Sequence, residues 1–209
     1  MHDEFPAQVN AAKLSDEPTR FLENISETPS ESDIQTIKAK LITLYSDVFD
    51  RSGTLKPMTG EPMKIHVRPN AKPFALSSAR QIPYGLRDQV KKKIEVVCKN
   101  GIIERIGDIS TEWCHPMVVV RKPNGDIRIC TDFTKLNKYC ARPHHPQRTP
   151  KDAVDAVRPS DRYFSLVDAQ SGYWQMEIEK ESQLLTCFIC PEGRLKYLRA
   201  SMGLVPTGD

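Results

Sequence analysis

Apolar residues recur with a helical period in two stretches of the chain. In ESDIQTIKAKLITLYSDVFD, Ile34, Ile37, Leu41, Leu44, Tyr45 and Val48 fall on one face. Ser30 and Asp33 have the spacing of a capping box, and Gly53 stands near the expected stop. The pattern predicts a helix whose stripe packs on a core. In LRDQVKKKIEVVCKNGIIERI, Leu86, Val90, Ile94, Val97 and Cys98 turn inward and Gly101 supplies a C-terminal cap. Lys91, Lys92 and Lys93 read as a solvated face, with a phosphate-facing patch as the alternative. Residues 54–84 hold too many prolines for a helix. They predict an extended arm over the surface of a domain, with MKIHV as a short strand.

Further along, the period shortens to two. PMVVVRKPNGDIRICTDF sets two β-branched runs around Asn124-Gly125, a strong hairpin signal. A two-residue turn there pairs Arg121 with Arg128 and Lys122 with Ile127. Val120, Ile127 and Ile129 then face inward, and the two arginines share the other face. Like charges directly opposite repel. Either an anion near them offsets that cost, or they are solvated edge-strand arginines that discourage aggregation. Thr149-Pro150-Lys151-Asp152 supplies the cap, proline and acid of a short helix that ends before Pro159. YFSLVD, WQMEIE and TCFIC predict strands, and Leu195, Tyr197 and Leu198 continue after a turn at Glu192-Gly193. This order predicts an α+β fold with a mostly antiparallel sheet.

Composition narrows the classes only a little. The 209 residues are 39% hydrophobic and 27% charged, which suits one or two folded domains. A net charge of +3 is too small to argue for nucleic acid without charge placement. The six cysteines lie in apolar or mixed segments, without the dense spacing of a secreted disulfide scaffold. They predict reduced thiols in an intracellular, cytoplasmic protein. Cys187 and Cys190 sit at odd separation in a predicted strand, so they point to opposite faces and do not clamp one metal. Residues 1–30 are polar and carry Pro6, Pro18 and Pro29, which predicts disorder. No signal peptide is visible, and no stretch approaches the ~20 apolar residues of a membrane span.

Candidate chemistry concentrates in FSLVDAQSGYWQ. An apolar strand leads to a lone acid, Asp168, at the rim of a sheet, where hard oxygen ligands can hold magnesium. The turn Ala169-Gln170-Ser171-Gly172 exposes successive N–H groups that can cradle an anion. Tyr173 and Trp174 can stack on a ring or wall it off. The alternative is a strand-end aspartate that caps a turn.

Four blocks in order carry a resemblance: AKPFALSSARQIPYGLRDQVKKKIEVVCKNGIIERI, STEWCHPMVVVRKPNGDIRICTDFTKLNK, YFSLVDAQSGYWQMEI and LLTCFICPEGRLKYLRASMGL. Over residues 62–204 the chain resembles the reverse transcriptase of gypsy-type LTR retrotransposons. DVFDRSGTLKPM resembles the connector that precedes this domain. The resemblance implies a polymerase fingers/palm-like fold, truncated, with a disordered linker at 1–30, a connector with one helix at 31–61, and fingers and partial palm at 62–209. It implies a fingers hairpin at 117–133, with Arg128 and, across the hairpin, Lys122 on the nucleotide triphosphate. Asp168 matches the first metal-binding, catalytic aspartate, assisted by the carbonyl of Ala169. The N–H groups of Ser171 and Gly172 would hold phosphate oxygens, and Tyr173 would lie under the sugar. Met202 and Gly203 match the start of the pocket for nucleotide and template, to which Arg121 is also assigned. The implied cofactor is Mg2+ or Mn2+. The implied partners are deoxynucleoside triphosphates, an RNA or DNA template–primer, and the rest of a Pol polyprotein: protease upstream, remaining palm, thumb and ribonuclease H downstream. An active element would package it in a virus-like particle.

The family's second acidic element, Tyr-x-Asp-Asp, has no counterpart. The sequence holds no Asp-Asp pair, and Asp209 is the only aspartate after Asp168. HHPQRTP, with adjacent His144 and His145, and the tail VPTGD also depart from the family's pattern. The expectation is a fragment of an RNA-directed DNA polymerase, working by a two-metal mechanism in the complete enzyme and inactive alone. The alternative is a non-catalytic, nucleic-acid-binding relic.

Overall fold

A computed structural model describes residues 29–49, 55–142, 149–161, 164 and 166–208. The expected disorder before Pro29, the stop at Gly53 and the histidine pair lie outside the described residues. The chain divides into two units, Met1–Thr54 and Leu55–Asp209.

In the first unit, α1 spans Glu31–Leu44. Its start is the capping box read from the sequence. The Asp33 N–H donates to Ser30 Oγ at 3.2 Å, and the Ser30 N–H donates to Asp33 Oδ2 at 2.8 Å. These bonds stabilise the ionised form and hold the Asp33 carboxyl below its usual range. The expected core-facing stripe is a different matter. No residue of α1 is buried, and Leu44 and Val48 are exposed.

The second unit is built on one helix and one sheet. Helix α2, Arg87–Lys99, follows a 3-10 turn at Tyr84–Leu86. Val90, Ile94 and Val97 recur every three or four residues and are buried, while Cys98 is half-buried. The Gly101 N–H bonds the Cys98 carbonyl at 3.0 Å and ends the helix. Lys91 and Lys92 are exposed, in keeping with a solvated face.

Among the described residues, five strands form a sheet in the order β1-β5-β4-β2-β3. They are β1 Ile103–Arg105, β2 His115–Arg121, β3 Ile127–Thr131, β4 Phe188–Cys190 and β5 Gly193–Tyr197. β2 and β4 run parallel, and the other neighbours are antiparallel. The α+β, mostly antiparallel expectation therefore holds. Helix α2 packs on β1 and β3. Ile102, Ile127, Phe188 and Leu195 join Val90 and Ile94 in the main core. Cys190 belongs to that core, whereas Cys187 packs with Ile106 and Cys114 in a smaller cluster. Residues 55–82 form the expected arm, but MKIHV makes isolated bridges, Met63 to Ile178 and Val67 to Cys140, rather than a strand.

The hairpin register differs from the sequence reading by one residue. Val120 faces Arg128 and Arg121 faces Ile127. A two-residue turn of the hairpin type needs positive φ at Asn124, and Asn124 does not have it. Instead Pro123, Asn124 and Gly125 make a three-residue loop closed by the Lys122 N–H to Asp126 O bond at 2.8 Å. Gly125 takes the left-handed conformation, φ +83°, that such a loop requires of one residue. Arg121 and Arg128 therefore lie on opposite faces, with no repulsion for an anion to relieve. Val120, expected inward, is exposed, while Val119 and Ile129 pack on the core.

The second correction concerns YFSLVD and WQMEIE. None of the described residues in 164–168 is in a strand; Phe164, Leu166 and Val167 are 70%, 96% and 83% exposed. A strand is stable only beside a ladder partner, and no described segment pairs here. Trp174 and Gln175 end a short helix, Gly172–Gln175, and Glu177 and Ile178 make isolated bridges.

Candidate nucleotide site

The hairpin carries the first set of candidate residues. Lys122 Nζ lies 3.5 Å from Asp126 Oδ2, and Lys93 Nζ approaches the same oxygen at 3.7 Å. The Ile127 N–H and these two ammonium groups hold the Asp126 carboxyl below its usual range. The pairs are partly exposed and therefore weak, so an incoming anion can compete for Lys122. Arg128 is on the opposite side of β3 from the core, and its Nη1 lies 3.6 Å from Met202 Sδ. The structure thus joins Arg128 to Met202 and leaves Arg121 on the other face.

The turn that carries Met202 and Gly203 is fixed by a residue the sequence reading passed over. Asn137 Nδ2 donates to the Gly203 carbonyl at 2.8 Å, and Asn137 Oδ1 accepts the Val205 N–H at 3.0 Å. Asn137 ends a short helix, Thr134–Asn137, whose start is capped by Asp132. Asp132 Oδ1 accepts the Thr134 N–H and Oγ–H at 3.1 and 2.6 Å, and Oδ2 lies 3.3 Å from Arg80. Those hydrogen bonds, then Arg80, hold its carboxyl low. The Asp-x-Thr spacing in TDFTKLN was a legible capping signal. Asn137 had no local signal, because both of its partners are far away in sequence.

The Asp168 segment carries the second set. Asp168 and Ala169 are exposed, and Asp168 has no hydrogen-bond or ion-pair partner among the described residues. Ser171 adopts φ 52°, unusual for a residue with a side chain. Next to it, Gly172 is required by space: a Cβ there would lie 3.3 Å from that of Ala169. The Trp174 N–H donates to the Ser171 carbonyl at 2.8 Å, and Gln175 Nε2 donates to the Gln170 carbonyl at 2.8 Å. Tyr173 is partly exposed while Trp174 packs on the core and anchors the turn.

Backbone bonds lead from this turn towards the hairpin. The Met58 N–H meets Gln175 O at 2.7 Å, and the Ala200 N–H meets Met176 O at 2.9 Å. Two residues after Ala200, Met202 meets Arg128. The 172–178 stretch, the 198–203 stretch and the Arg128 face are therefore successive neighbours.

A divalent hard cation needs about six oxygen ligands. Asp168 and the Ala169 carbonyl supply half of that at most. Glu177 and Glu179, the next acids along the chain, face Arg199 and Lys64, each at 3.6 Å. No group of three His, Cys, Asp or Glu side chains gathers for a metal among the described residues. These residues do not by themselves make a two-metal site.

No family model matches the chain. It is 30% identical over 180 residues to an uncharacterized protein of Caenorhabditis elegans, covering 85% of this chain and 14% of that protein. It is 25% identical over 150 residues to the retrovirus-related Pol polyprotein from transposon opus of Drosophila melanogaster, covering 68% and 14%. The chain thus spans about a seventh of these relatives. Among solved structures, it resembles the prototype foamy virus protease-reverse transcriptase with a TM-score of 0.72 at 18% identity, over 91% of this chain and 25% of that one. The foamy viral protein in complex with an RNA/DNA hybrid gives 0.66 at 18%, over 91% and 25%. No helix among the described residues is long and apolar enough to cross a membrane. The chain is a homologue of retrotransposon and retroviral Pol polyproteins, and it has the fold of a reverse transcriptase domain.

Proposed function

We propose that the chain is the fingers and first part of the palm of an RNA-directed DNA polymerase of a gypsy-type LTR retrotransposon. One observation carries the reading: Arg128 projects from the hairpin onto Met202, in a turn whose backbone continues to the Tyr173 helix. On this reading a deoxynucleoside triphosphate binds with its phosphates at Arg128 and Lys122. The N–H groups of Ser171 and Gly172 take further phosphate oxygens, and Tyr173 supports the sugar. Asp168 and the Ala169 carbonyl contribute to an Mg2+ or Mn2+ site that the rest of a palm completes. The protease, thumb and ribonuclease H are other parts of the polyprotein.

Because the donor set is incomplete, we assign no chemical step to this polypeptide alone. It binds nucleotide and template–primer without extending a primer. Fluorescent deoxynucleotide titration tests the binding. Arg128→Ala should weaken it roughly tenfold or more, as expected when a charged hydrogen bond worth about 1.5–3 kcal/mol is removed. Equal affinity for the variant overturns the assignment. Primer extension on an RNA template with magnesium should give no product, and clear extension overturns the incomplete-site reading. The second reading, a non-catalytic nucleic-acid-binding relic, is favoured by the lone position of Asp168. It predicts salt-dependent duplex binding that is indifferent to Arg128→Ala.

A further inference from the structure

A cleft outside the Arg128 and Asp168 regions lies at the start of α2. Arg80, Ile82 and Arg87 line one side, and Pro191 and Glu192 of the β4–β5 turn line the other, enclosing about 370 Å³. That volume is at the small end of ligand sites, room for one nucleotide-sized group. Arg87 is held in place twice. Its Nε donates to the Ile82 carbonyl at 3.4 Å, and its guanidinium sits 5.5 Å over the centre of the Tyr84 ring. Tyr84 itself is 86% exposed, whereas Trp113, Phe133, Phe188 and Tyr197 of the same unit are buried.

We propose that Tyr84 and this cleft form a seat for an unpaired nucleotide of a single-stranded nucleic acid. A base stacks on the open face of Tyr84, and the adjoining phosphate enters between Arg80 and Arg87. Three features favour this ligand. A flat, exposed aromatic accepts any base, because every base has a π-face. Arg87 touches both the ring and the cleft, so it links stacking to charge recognition. The charge balance in the cleft is two guanidiniums against the Glu192 carboxylate, and Arg105 bonds the Glu192 carbonyl at 2.6 Å. Arg80 is held only by an exposed pair with Asp132, which costs little to loosen. The polymerase reading supplies the partner class, nucleic acid; the seat itself rests on the residues named here.

The test uses the 209-residue chain and three labelled ligands: a uridine-rich single strand, a blunt RNA–DNA duplex and an anionic control, polyglutamate. Anisotropy should show single-strand binding that Tyr84→Ala weakens roughly five- to a hundredfold, the range for one stacked base. Tyr84→Phe should retain it. Replacing Arg80 and Arg87 together should reduce the salt slope by about 0.7 for each phosphate no longer neutralised. A 5-bromouridine probe should photocrosslink at Tyr84. Unchanged affinity in Tyr84→Ala, or crosslinks only elsewhere, overturns the proposal. Equal Tyr84-dependent binding of polyglutamate overturns the assignment to nucleic acid. Blunt-duplex binding without Tyr84-dependent single-strand binding sinks the seat and spares the polymerase reading. Tyr84-dependent single-strand binding without duplex binding does the reverse.

Discussion

Compare the sheet with the stretch from Pro150 to Gln175. Both contain runs of Phe, Leu, Ile and Val. In the sheet, Phe188 and Leu195 are paired across β4 and β5 and fully buried. In the other stretch, Leu166 and Val167 are just as apolar and almost wholly exposed. Hydrophobicity alone did not decide the outcome; ladder partners did. The metal-ligand candidate, Asp168, sits in the half without partners, while the phosphate-binding candidates Lys122 and Arg128 sit in the half that is complete.

The sharpest way to break this contrast is at Ile94, which is 0% exposed between α2 and the sheet. Ile94→Ala should cost about 2–5 kcal/mol, a large part of a typical domain's stability. A urea midpoint unchanged from the parent would mean that the sheet half is not the stable half.

His115 gives the next effect. It is fully buried, stacked on Trp113, with Nε2 at 3.1 Å from the Leu185 carbonyl and Nδ1 without a partner. Burial pushes its pKa down, only partly opposed by the Leu185 carbonyl and Asp132. The unfolded chain therefore binds a proton that the folded one resists. This stability is present above the unfolded value, about 6.5, and is lost as pH falls below it. The melting temperature should drop between about pH 7.5 and 5.5, and His115→Gln should flatten that slope. Equal slopes would show that His115 does not drive the acid loss.

Gly125→Ala sharpens the hairpin side. Open space surrounds the position, so only the left-handed backbone opposes a methyl group, at roughly 1–2 kcal/mol. A neutral result in chemical denaturation would mean that the three-residue loop is wrong. Smallest of all, Leu166→Ser should change stability by less than about 0.5 kcal/mol, since it removes no packing. A larger loss would place Leu166 against a packing partner, and the contrast between the two halves would fail.

The local signals were legible. Ser30 with Asp33 and Thr149 with Asp152 form the capping boxes their spacing announced, because each uses partners three residues apart. The inward row Val90, Ile94, Val97 was readable for the same reason. The hairpin was visible but its register was not, since Asn-Gly serves two loop lengths and Pro123 decided between them. The failed strand at 164–168 shows the limit of periodicity, which records which side chains are apolar but not whether a neighbour lies alongside. Site residues divide likewise. Arg128 was legible from its place in the hairpin, whereas Asn137 acts only through the distant Gly203 and Val205.

The parallel pairing of β2 with β4 has a consequence for synthesis on the ribosome. Cys114 and Cys187, at the adjoining ends of those strands, touch across a separation of 73 residues. The β2–β3 ribbon can close as soon as it emerges, but its other edge must wait for β4 to be translated. At about 5–20 residues per second that interval lasts several seconds, during which the waiting backbone groups are open to chaperones or to a neighbouring nascent chain.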